Sequence, residues 1–200
     1  MATAVTMPNE TYIFGGKFSR TSEFLRNDVW QEGPMIPNGF QQGCGVKISP
    51  HEIILIGGEG TEDRVIKLDV RNNTFTLWSP LKKERRGHSC ILLNNNILVV
   101  GGINHGGQED ELKSTEIISL THKIPRNGGS LNIARSYFGL AAVGGHFKRI
   151  LSFGGNSGNS VEQWNEETEQ WKISPFSLQK SRGGFGSVAV PPSVICPSKN

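Results

Sequence analysis

Four glycine pairs are the residues of this chain whose type and spacing most readily suggest chemistry. Each follows a short apolar run, and the pairs are Gly15 and Gly16, Gly57 and Gly58, Gly101 and Gly102, and Gly154 and Gly155. Glycine-rich turns can cradle a phosphate group when the N-terminus of a helix follows them. No segment of the chain has a convincing helical period, so the pairs favour a structural role.

Side chains that could bind a metal or attack a substrate are scattered along the chain. They are two tyrosines, Tyr12 and Tyr137, three cysteines, Cys44, Cys90 and Cys196, and five histidines, His51, His88, His105, His122 and His146. Their spacing is not that of a metal site, and nothing indicates a Ser/His/Asp or paired-carboxylate arrangement. We therefore expect no catalytic residue, no bound metal and no cofactor.

The cysteines also bear on the cellular compartment. They are three in number and widely spaced, which is typical neither of a disulfide framework nor of a zinc site. We expect reduced thiols and a cytoplasmic location. The glycosylation sequons at Asn9 and Asn72 would matter only if the chain were secreted.

The composition limits the class of protein. The chain has 200 residues, of which 36% are hydrophobic and 25 are glycine, and its net charge is +3. This length allows a sizeable core of all-β type. The charge is too mild for a dedicated nucleic-acid binder. No apolar run reaches the roughly 18 residues of a membrane helix, and no signal peptide is recognisable, so we expect neither a nucleic-acid nor a membrane partner.

The apolar runs before the glycine pairs form an internal repeat. They read TYIFGG, IILIGG, ILVVGG and ILSFGG, and their steps of roughly 42, 44 and 53 residues are in the range of a propeller or solenoid repeat. Around each run lie short strand-like segments with turn signals between them, about four per unit. The units span about 2–36, 41–81, 87–131 and 136–175, with a partial unit at 183–196.

Tryptophan and arginine recur at fixed places in these units. The last strand of three units carries Trp30, Trp78 or Trp171, and the restart of the next unit carries Arg86, Arg135 or Arg182. The order of apolar run, glycine pair, VxxLD-like strand, tryptophan and arginine-led restart resembles the kelch repeat. The third unit departs from that pattern, because THKIPRNGGSLNIAR stands where a tryptophan is expected.

The resemblance implies a β-propeller of four-stranded antiparallel blades, with about four to four and a half blades in this chain. In such a fold the glycine pairs would let neighbouring backbones approach, and the tryptophans would fill the wider space between outer strands. We expect the three arginines to be scaffold residues. Four blades leave the ring open, so the chain is either part of a longer propeller or pairs with itself.

Connections between second and third strands open on the same face as the connections between blades. That face would carry an acidic patch of Glu109, Asp110 and Glu111, with Glu62 and Asp63, and a basic patch that includes Lys82, Lys83 and Arg85. Mixed charge on loops held by a rigid scaffold is typical of a protein-docking surface. We therefore predict that the chain binds a protein partner without catalysing a reaction.

The kelch resemblance also implies specific roles. Many kelch proteins recognise substrates for cullin-type ubiquitin ligases, and others bind actin. Two alternatives remain, which are a propeller enzyme similar to galactose oxidase and a secreted propeller that binds glycans or cell surfaces. An enzyme of the first kind would need tyrosine, cysteine and histidine side chains to converge on copper.

Overall fold

The computed structural model describes residues 1–17, 19–104, 110–143 and 149–185. These ranges contain β-strands, turns and bends, and no helix that could cross a membrane occurs in them. The strands form four antiparallel sheets of four strands each and one small two-stranded sheet. The predicted all-β architecture of four-stranded blades is confirmed, and we number the large sheets blades 1 to 4 in chain order.

The strands follow one another along the chain. Blade 1 contains β1 (Thr3–Thr6), β2 (Thr11–Phe14), β3 (Ser22–Arg26) and β4 (Val29–Glu32). Blade 2 contains β5 (Cys44–Ser49), β6 (Glu52–Ile56), β7 (Arg64–Asp69) and β8 (Thr74–Pro80). Blade 3 contains β9 (Ser89–Leu93), β10 (Asn96–Val100), β13 (Thr115–Ser119) and β14 (Pro125–Asn127), and the hairpin of β11 (Ile103–Asn104) and β12 (Asp110–Glu111) is inserted before β13. Blade 4 contains β15 (Gly139–Val143), β16 (Arg149–Phe153), β17 (Ser160–Asn165) and β18 (Gln170–Ser177).

The first strands of successive blades lie side by side. β1 contacts β5, β5 contacts β9, and β9 contacts β15. The blades therefore fan out from a common axis that their first strands line, as in a propeller. The strands of the first three blades lie within the predicted units, whereas β18 extends past 175 to Ser177. Of the predicted partial unit 183–196, only 183–185 are among the described residues.

β6, the second strand of blade 2, is buried on both faces, which explains its unbroken apolar sequence. Ile53 and Leu55 of β6 pack against blade 1, whereas Ile54 and Ile56 pack against blade 3. Alternate residues of a strand point to opposite faces, so a run of four apolar residues joins two interblade cores. Each such side chain contributes about 1.5–3 kcal/mol when it is fully buried.

The glycine pairs bring one blade close to the restart of the next. Gly57 has a φ of 54°, and a Cβ on it would lie 2.7 Å from the carbonyl oxygen of Arg85. The amide of the second glycine donates to a restart carbonyl in every blade, which belongs to Phe40 (3.0 Å), Arg85 (2.9 Å), Arg135 (2.8 Å) and Arg182 (2.7 Å) in chain order. These four residues therefore occupy one repeat position.

This register corrects one of the predicted restart arginines. Arg85, not Arg86, is the counterpart of Arg135 and Arg182, because the amide of Gly58 donates to its carbonyl. Arg86 lies one position later, where its backbone pairs with Ile103 of the inserted hairpin.

The expectation that the cysteines are reduced is also wrong for two of them. Cys44 of β5 and Cys90 of β9 form a disulfide, with their sulfur atoms 2.00 Å apart. The bond is possible because β5 and β9 are neighbouring first strands, which a separation of 46 residues in sequence conceals. Cys196 lies outside the described residues.

Candidate protein-binding face

Connections between second and third strands are hydrogen-bonded to the segments between blades. The backbone amides of Arg85, Leu131 and Leu178 donate to the carbonyls of Glu62 (2.9 Å), Lys113 (2.8 Å) and Asn159 (2.8 Å), respectively. We call the described parts of these connections and segments the loop face. Its ranges are 15–17, 19–21, 33–43, 57–63, 81–88, 101–104, 110–114, 128–138, 154–159 and 178–185.

Arg85 was predicted to lie in the exposed basic patch, but the structure buries it completely, with 0% of its surface exposed. Its Nη1 donates to the carbonyl oxygen of Gly101 (2.8 Å), and its Nη2 donates to Oε1 of Glu116 (2.6 Å). Burial lowers the pKa of the Arg85 guanidinium, and the charge of Glu116 opposes that shift. Arg85 therefore belongs to the scaffold, because a buried charge needs its partner close by.

Glu116 also positions the backbone of the basic patch. Its two carboxylate oxygens accept hydrogen bonds from the backbone amides of Lys82 (2.8 Å) and Lys83 (3.0 Å). The side chains of both lysines are exposed. The structure thus fixes where the two ammonium groups emerge, although the side chains themselves remain solvated.

Arg135 repeats the arrangement one blade later. Its guanidinium, also 0% exposed, donates to the carbonyl oxygens of Gly154 and Ser160 (3.0 Å each) and to Glu162 (3.2 Å). Glu162 in turn accepts the backbone amides of Asn132 (2.8 Å) and Ile133 (3.1 Å). Burial lowers the pKa of Arg135 while Glu162 opposes the shift.

The other predicted rim residues lie as follows. Asp110 is exposed at the start of β12, and the half-buried Glu111 accepts a hydrogen bond from the hydroxyl of Ser136. Arg182 is exposed near the end of the described chain. Glu109 falls outside the described residues, so the acidic patch is represented by Asp110 and Glu111 together with Glu62 and Asp63 on the neighbouring loop.

Sequence reasoning missed a polar network at the centre of the loop face. The hydroxyl of Tyr137 (2.7 Å) and Nη1 of Arg86 (3.1 Å) both donate to Oε1 of Gln42. Gln42 and Tyr137 have φ values of 60° and 53°, which are uncommon for residues other than glycine. Backbone strain of this kind is often found at functional sites. A Cβ on Gly87, which lies between them, would come within 2.9 Å of the Tyr137 ring.

A cavity of about 220 Å³ lies beneath this network, among the first strands. Its lining includes the disulfide of Cys44 and Cys90, together with His88 and Phe185. Drug-sized ligands usually occupy cavities of at least about 300 Å³. The broad loop face is therefore a better candidate for recognition than this small cavity.

His88 is a buried part of the scaffold. Only 5% of it is exposed, and neither ring nitrogen has a hydrogen-bond partner among the described residues. Burial, and to a smaller extent the charge of Arg85, lowers the pKa of His88 to about 3. The imidazole is therefore neutral at physiological pH. Its counterpart in the next unit is Phe138, three residues after Arg135, so an uncharged apolar ring can occupy the same position.

The two tyrosines lie in different parts of the fold. Tyr12 is 1% exposed in the core between blades 1 and 2, where burial raises the pKa of its phenol, whereas Tyr137 lines the cavity among the first strands. Within the described ranges, no three histidine, cysteine or acidic side chains are grouped closely enough to hold a metal ion.

Sequence and structure comparisons agree with this architecture. A search of known family profiles gives no match. The chain is 27% identical over 143 residues to human Kelch-like protein 15, which covers 60% of this chain and 23% of that protein. Its fold is similar to that in the structure of YjhT, with a TM-score of 0.72 and 16% identity over 88% of this chain and 66% of that one. The relative and the propeller fold together support a kelch-repeat protein.

This kelch chain spans less than a quarter of the length of its human relative and about two thirds of the solved structure. The likeness to YjhT supports the propeller fold alone, because the sequences have diverged far. What the kelch chain binds must therefore be argued from its own loop face.

Proposed function

We propose that this kelch chain binds a protein partner through its loop face and catalyses no reaction itself. The observation that carries the proposal is the anchoring of Lys82 and Lys83. Their backbone amides are held by the buried carboxylate of Glu116, while their side chains project into solvent. A fixed backbone lowers the entropy that is lost when such side chains engage a partner.

The charge on the loop face suits a protein partner of mixed charge. The lysines lie on the segment before blade 3, and the carboxylates of Glu62 and Asp63 lie on the adjacent connection. Complementary charge of this kind speeds association and selects among partners. The network at the centre adds a tyrosine and an arginine, which are residue types enriched in the centre of interfaces.

The test is affinity capture with matched charge reversals, followed by quantitative mass spectrometry. The variant Lys82→Glu/Lys83→Glu reverses two charges on the loop face. The control Lys123→Glu/Lys172→Glu makes the same change in net charge at exposed residues outside that face. We expect the first variant to lose a partner that both the wild type and the control retain. Equal capture by all three proteins would contradict the proposed docking surface.

Substrate recognition for a ubiquitin ligase and binding to actin are narrower forms of this proposal. The relative named Kelch-like protein 15 supports a kelch propeller and does not by its name select either role. Purified actin and a purified cullin-type ligase can be used as probes in the same assay. Loss of binding to one of them in the loop-face variant would select that role.

The enzyme alternative would require Tyr12 and Tyr137 to reach one metal. The first is enclosed between blades 1 and 2, and the second lines the cavity among the first strands. Copper analysis of the purified protein tests the alternative independently of partner capture. Copper bound at one ion per chain would overturn the non-catalytic proposal.

A secreted propeller that binds glycans or cell surfaces is the second candidate, and the Cys44–Cys90 disulfide favours it. Stable disulfides are typical of oxidising compartments, so the cysteines no longer support the proposed cytoplasmic location. Asn9 and Asn72 are both exposed and available for glycosylation. Intact-mass measurement before and after enzymatic deglycosylation tests for secretion, because a glycan on either asparagine requires it.

A further inference from the structure

Blades 3 and 4 each use a buried carboxylate to hold the segment that precedes the blade. In blade 3, Glu116 accepts hydrogen bonds from the backbone amides of Lys82 (2.8 Å) and Lys83 (3.0 Å) and from Nη2 of Arg85 (2.6 Å). Glu162 of blade 4 accepts the equivalent three hydrogen bonds. The carboxylate thus fastens the preceding segment onto the third strand.

Blade 2 lacks this carboxylate. The amide of the first glycine of each pair donates to one repeat position, which is Arg64 in blade 2 (2.8 Å) and Ser114 in blade 3 (3.0 Å). Ile66, two residues after Arg64, therefore stands where blade 3 has Glu116. Blade 2 has an apolar residue in place of the anion, and it carries an arginine in place of the serine.

The segment before blade 2 also lacks one of the two amide donors. Phe40 is its restart residue, so Pro37 and Asn38 stand where blade 3 has Lys82 and Lys83. Proline has no backbone N–H to donate. The backbone amide of Asn38 donates to no acceptor among the described residues. One donor is therefore left where the other blades have a carboxylate to receive it.

A groove of about 390 Å³ lies at this place, between the preceding segment and the strands β7 and β8, and we call it the blade 2 groove. Its apolar lining consists of Pro37, Ile66, Phe75, Leu77 and Pro80, and 71% of Leu77 is exposed. From Phe75 to Pro80 the groove follows β8 for about 16 Å, at about 3.3 Å per residue. Ligand sites are commonly cavities of about 300–1,000 Å³ with mainly apolar walls and a few polar groups. The length along β8 suits an extended chain.

The polar groups of the blade 2 groove favour a carboxylate. Arg64 is exposed, and its Nη1 donates to the side-chain oxygen of Asn38 when that amide is oriented as its neighbours require. Arg64 forms no ion pair with a carboxylate in the described ranges, and arginine binds carboxylates with two parallel hydrogen bonds. Asp63 is exposed at the same groove and opposes an acidic ligand. Its removal should therefore strengthen the binding of a carboxylate.

We propose that the blade 2 groove binds an extended segment of a protein partner in which a carboxylate lies next to an apolar side chain. The carboxylate pairs with Arg64 and accepts the amide of Asn38, and so takes the role that Glu116 has in blade 3. The apolar side chain packs against Phe75 and Leu77. The inference rests on the proposed function, because part of the loop face forms one wall of the groove.

The test is selection of phage-displayed random seven-residue peptides on the immobilised chain. We expect enrichment of sequences in which aspartate or glutamate adjoins leucine, isoleucine or phenylalanine. Fluorescence anisotropy then measures the affinity of one enriched peptide, made as the acid and as the matching amide. The acid should bind the wild type at least about tenfold more tightly than the amide, because a charged acceptor strengthens its hydrogen bonds.

Variants of exposed residues separate the groove from the rest of the surface. Arg64→Gln and Leu77→Ser should each bind the acidic peptide at least about tenfold more weakly, while their urea midpoints stay near that of the wild type. Arg149→Gln and Ile124→Ser make the same kinds of change at exposed residues outside the groove and should bind like the wild type. Asp63→Asn should bind about threefold more tightly because it removes a like charge, and such a gain cannot arise from misfolding.

Three results would each overturn the proposal. They are a selection without enriched pairs of acidic and apolar residues, equal binding of the acid and amide peptides, and wild-type affinity in both Arg64→Gln and Leu77→Ser. The selection contains no partner protein, so its failure overturns the assignment of the groove alone. Partner capture with Lys82→Glu/Lys83→Glu decides the docking proposal separately.

Discussion

Replacing Arg85 by methionine tests the energetic account of the interblade contacts. The substitution leaves Glu116 buried at 2% exposure without its cation, although the amides of Lys82 and Lys83 still donate to it. Breaking a buried ion pair on one side costs about 3–5 kcal/mol in the free energy of unfolding. The Lys67 and Glu52 pair is a control of similar length, 2.6 Å, with both side chains 28% exposed. Lys67→Met should cost less than about 1 kcal/mol.

Blade 2 indicates a second substitution that should restore most of the stability lost when Arg85 is replaced. Blade 2 holds Phe40 and Ile66 where blade 3 holds Arg85 and Glu116. In Arg85→Phe/Glu116→Ile no charge is left unpaired. The remaining loss comes from the two lysine amides, which lose their acceptor, and from the carbonyl of Gly101 and the hydroxyl of Ser114, which lose Arg85 as a donor. Those amides flank exposed residues and can be hydrated, so we expect the double variant to lie about 1–2 kcal/mol below the wild type.

Urea unfolding followed by tryptophan fluorescence measures both variants, and the single variants Arg85→Phe and Glu116→Ile complete the double-mutant cycle. We expect the coupling energy between positions 85 and 116 to be at least about 2 kcal/mol. The reasoning is refuted if Arg85→Met costs no more than Lys67→Met. It is also refuted if the costs at positions 85 and 116 simply add in the double variant, because the two groups would then not act as one unit.

Three further predictions concern the scaffold. In thermal unfolding, Gly101→Ala should destabilise the fold more than Gly158→Ala does. A Cβ at position 101 would lie 2.6 Å from the carbonyl of Arg135, whereas a Cβ at position 158 would meet open space. Equal losses of stability would show that backbone φ alone matters. Reducing the Cys44–Cys90 bond, which closes a separation of 46 residues, should lower the unfolding free energy by about 4 kcal/mol, and an unchanged urea midpoint would contradict this. The pKa of His88 is lowered from 6.5 to about 3, so the neutral imidazole stabilises the fold fully above pH 6.5. As the pH decreases from about 6.5 to about 3, this contribution to the free energy of unfolding decreases by about 1.4 kcal/mol per pH unit. His88→Phe should flatten that part of the urea-derived stability profile, and an equally steep profile would show that other groups cause it.

The repeat was visible in the sequence because propeller packing imposes it locally. The second strands of blades 2 and 3 each lie between two cores, and every glycine pair lies against a restart carbonyl, so the apolar run and the glycine pair recur along the chain. Fold class and strand order could therefore be predicted. The outer strand β14 of blade 3 forms without the expected tryptophan, as a segment of only three residues.

The site was harder to predict because it depends on register and on contacts between blades. Two adjacent arginines, Arg85 and Arg86, can each be aligned with the same repeat position. An alignment shifted by one residue assigns that position to the partly exposed Arg86 and not to the buried Arg85. The signal that fixes the register is the ring three residues later, which is His88 after Arg85 and Phe138 after Arg135.

The disulfide and the central network escaped sequence reasoning for a related reason. Cys44 and Cys90 belong to different units, and Gln42 and Tyr137 are 95 residues apart. Only the arrangement of first strands around the axis brings them together. A search for cysteines in the first strands of consecutive units could have found the first pair, whereas nothing local indicates the second.

Site-specific photo-crosslinking tests the central claim, that the loop face docks a protein partner. A photoreactive amino acid would replace Lys83 on the loop face and, in a second protein, Lys123 in the turn before β14; both positions are exposed. The account predicts that one partner is crosslinked from position 83 and not from position 123, and that Lys82→Glu suppresses the crosslink. Crosslinking of that partner from position 123 alone would contradict it.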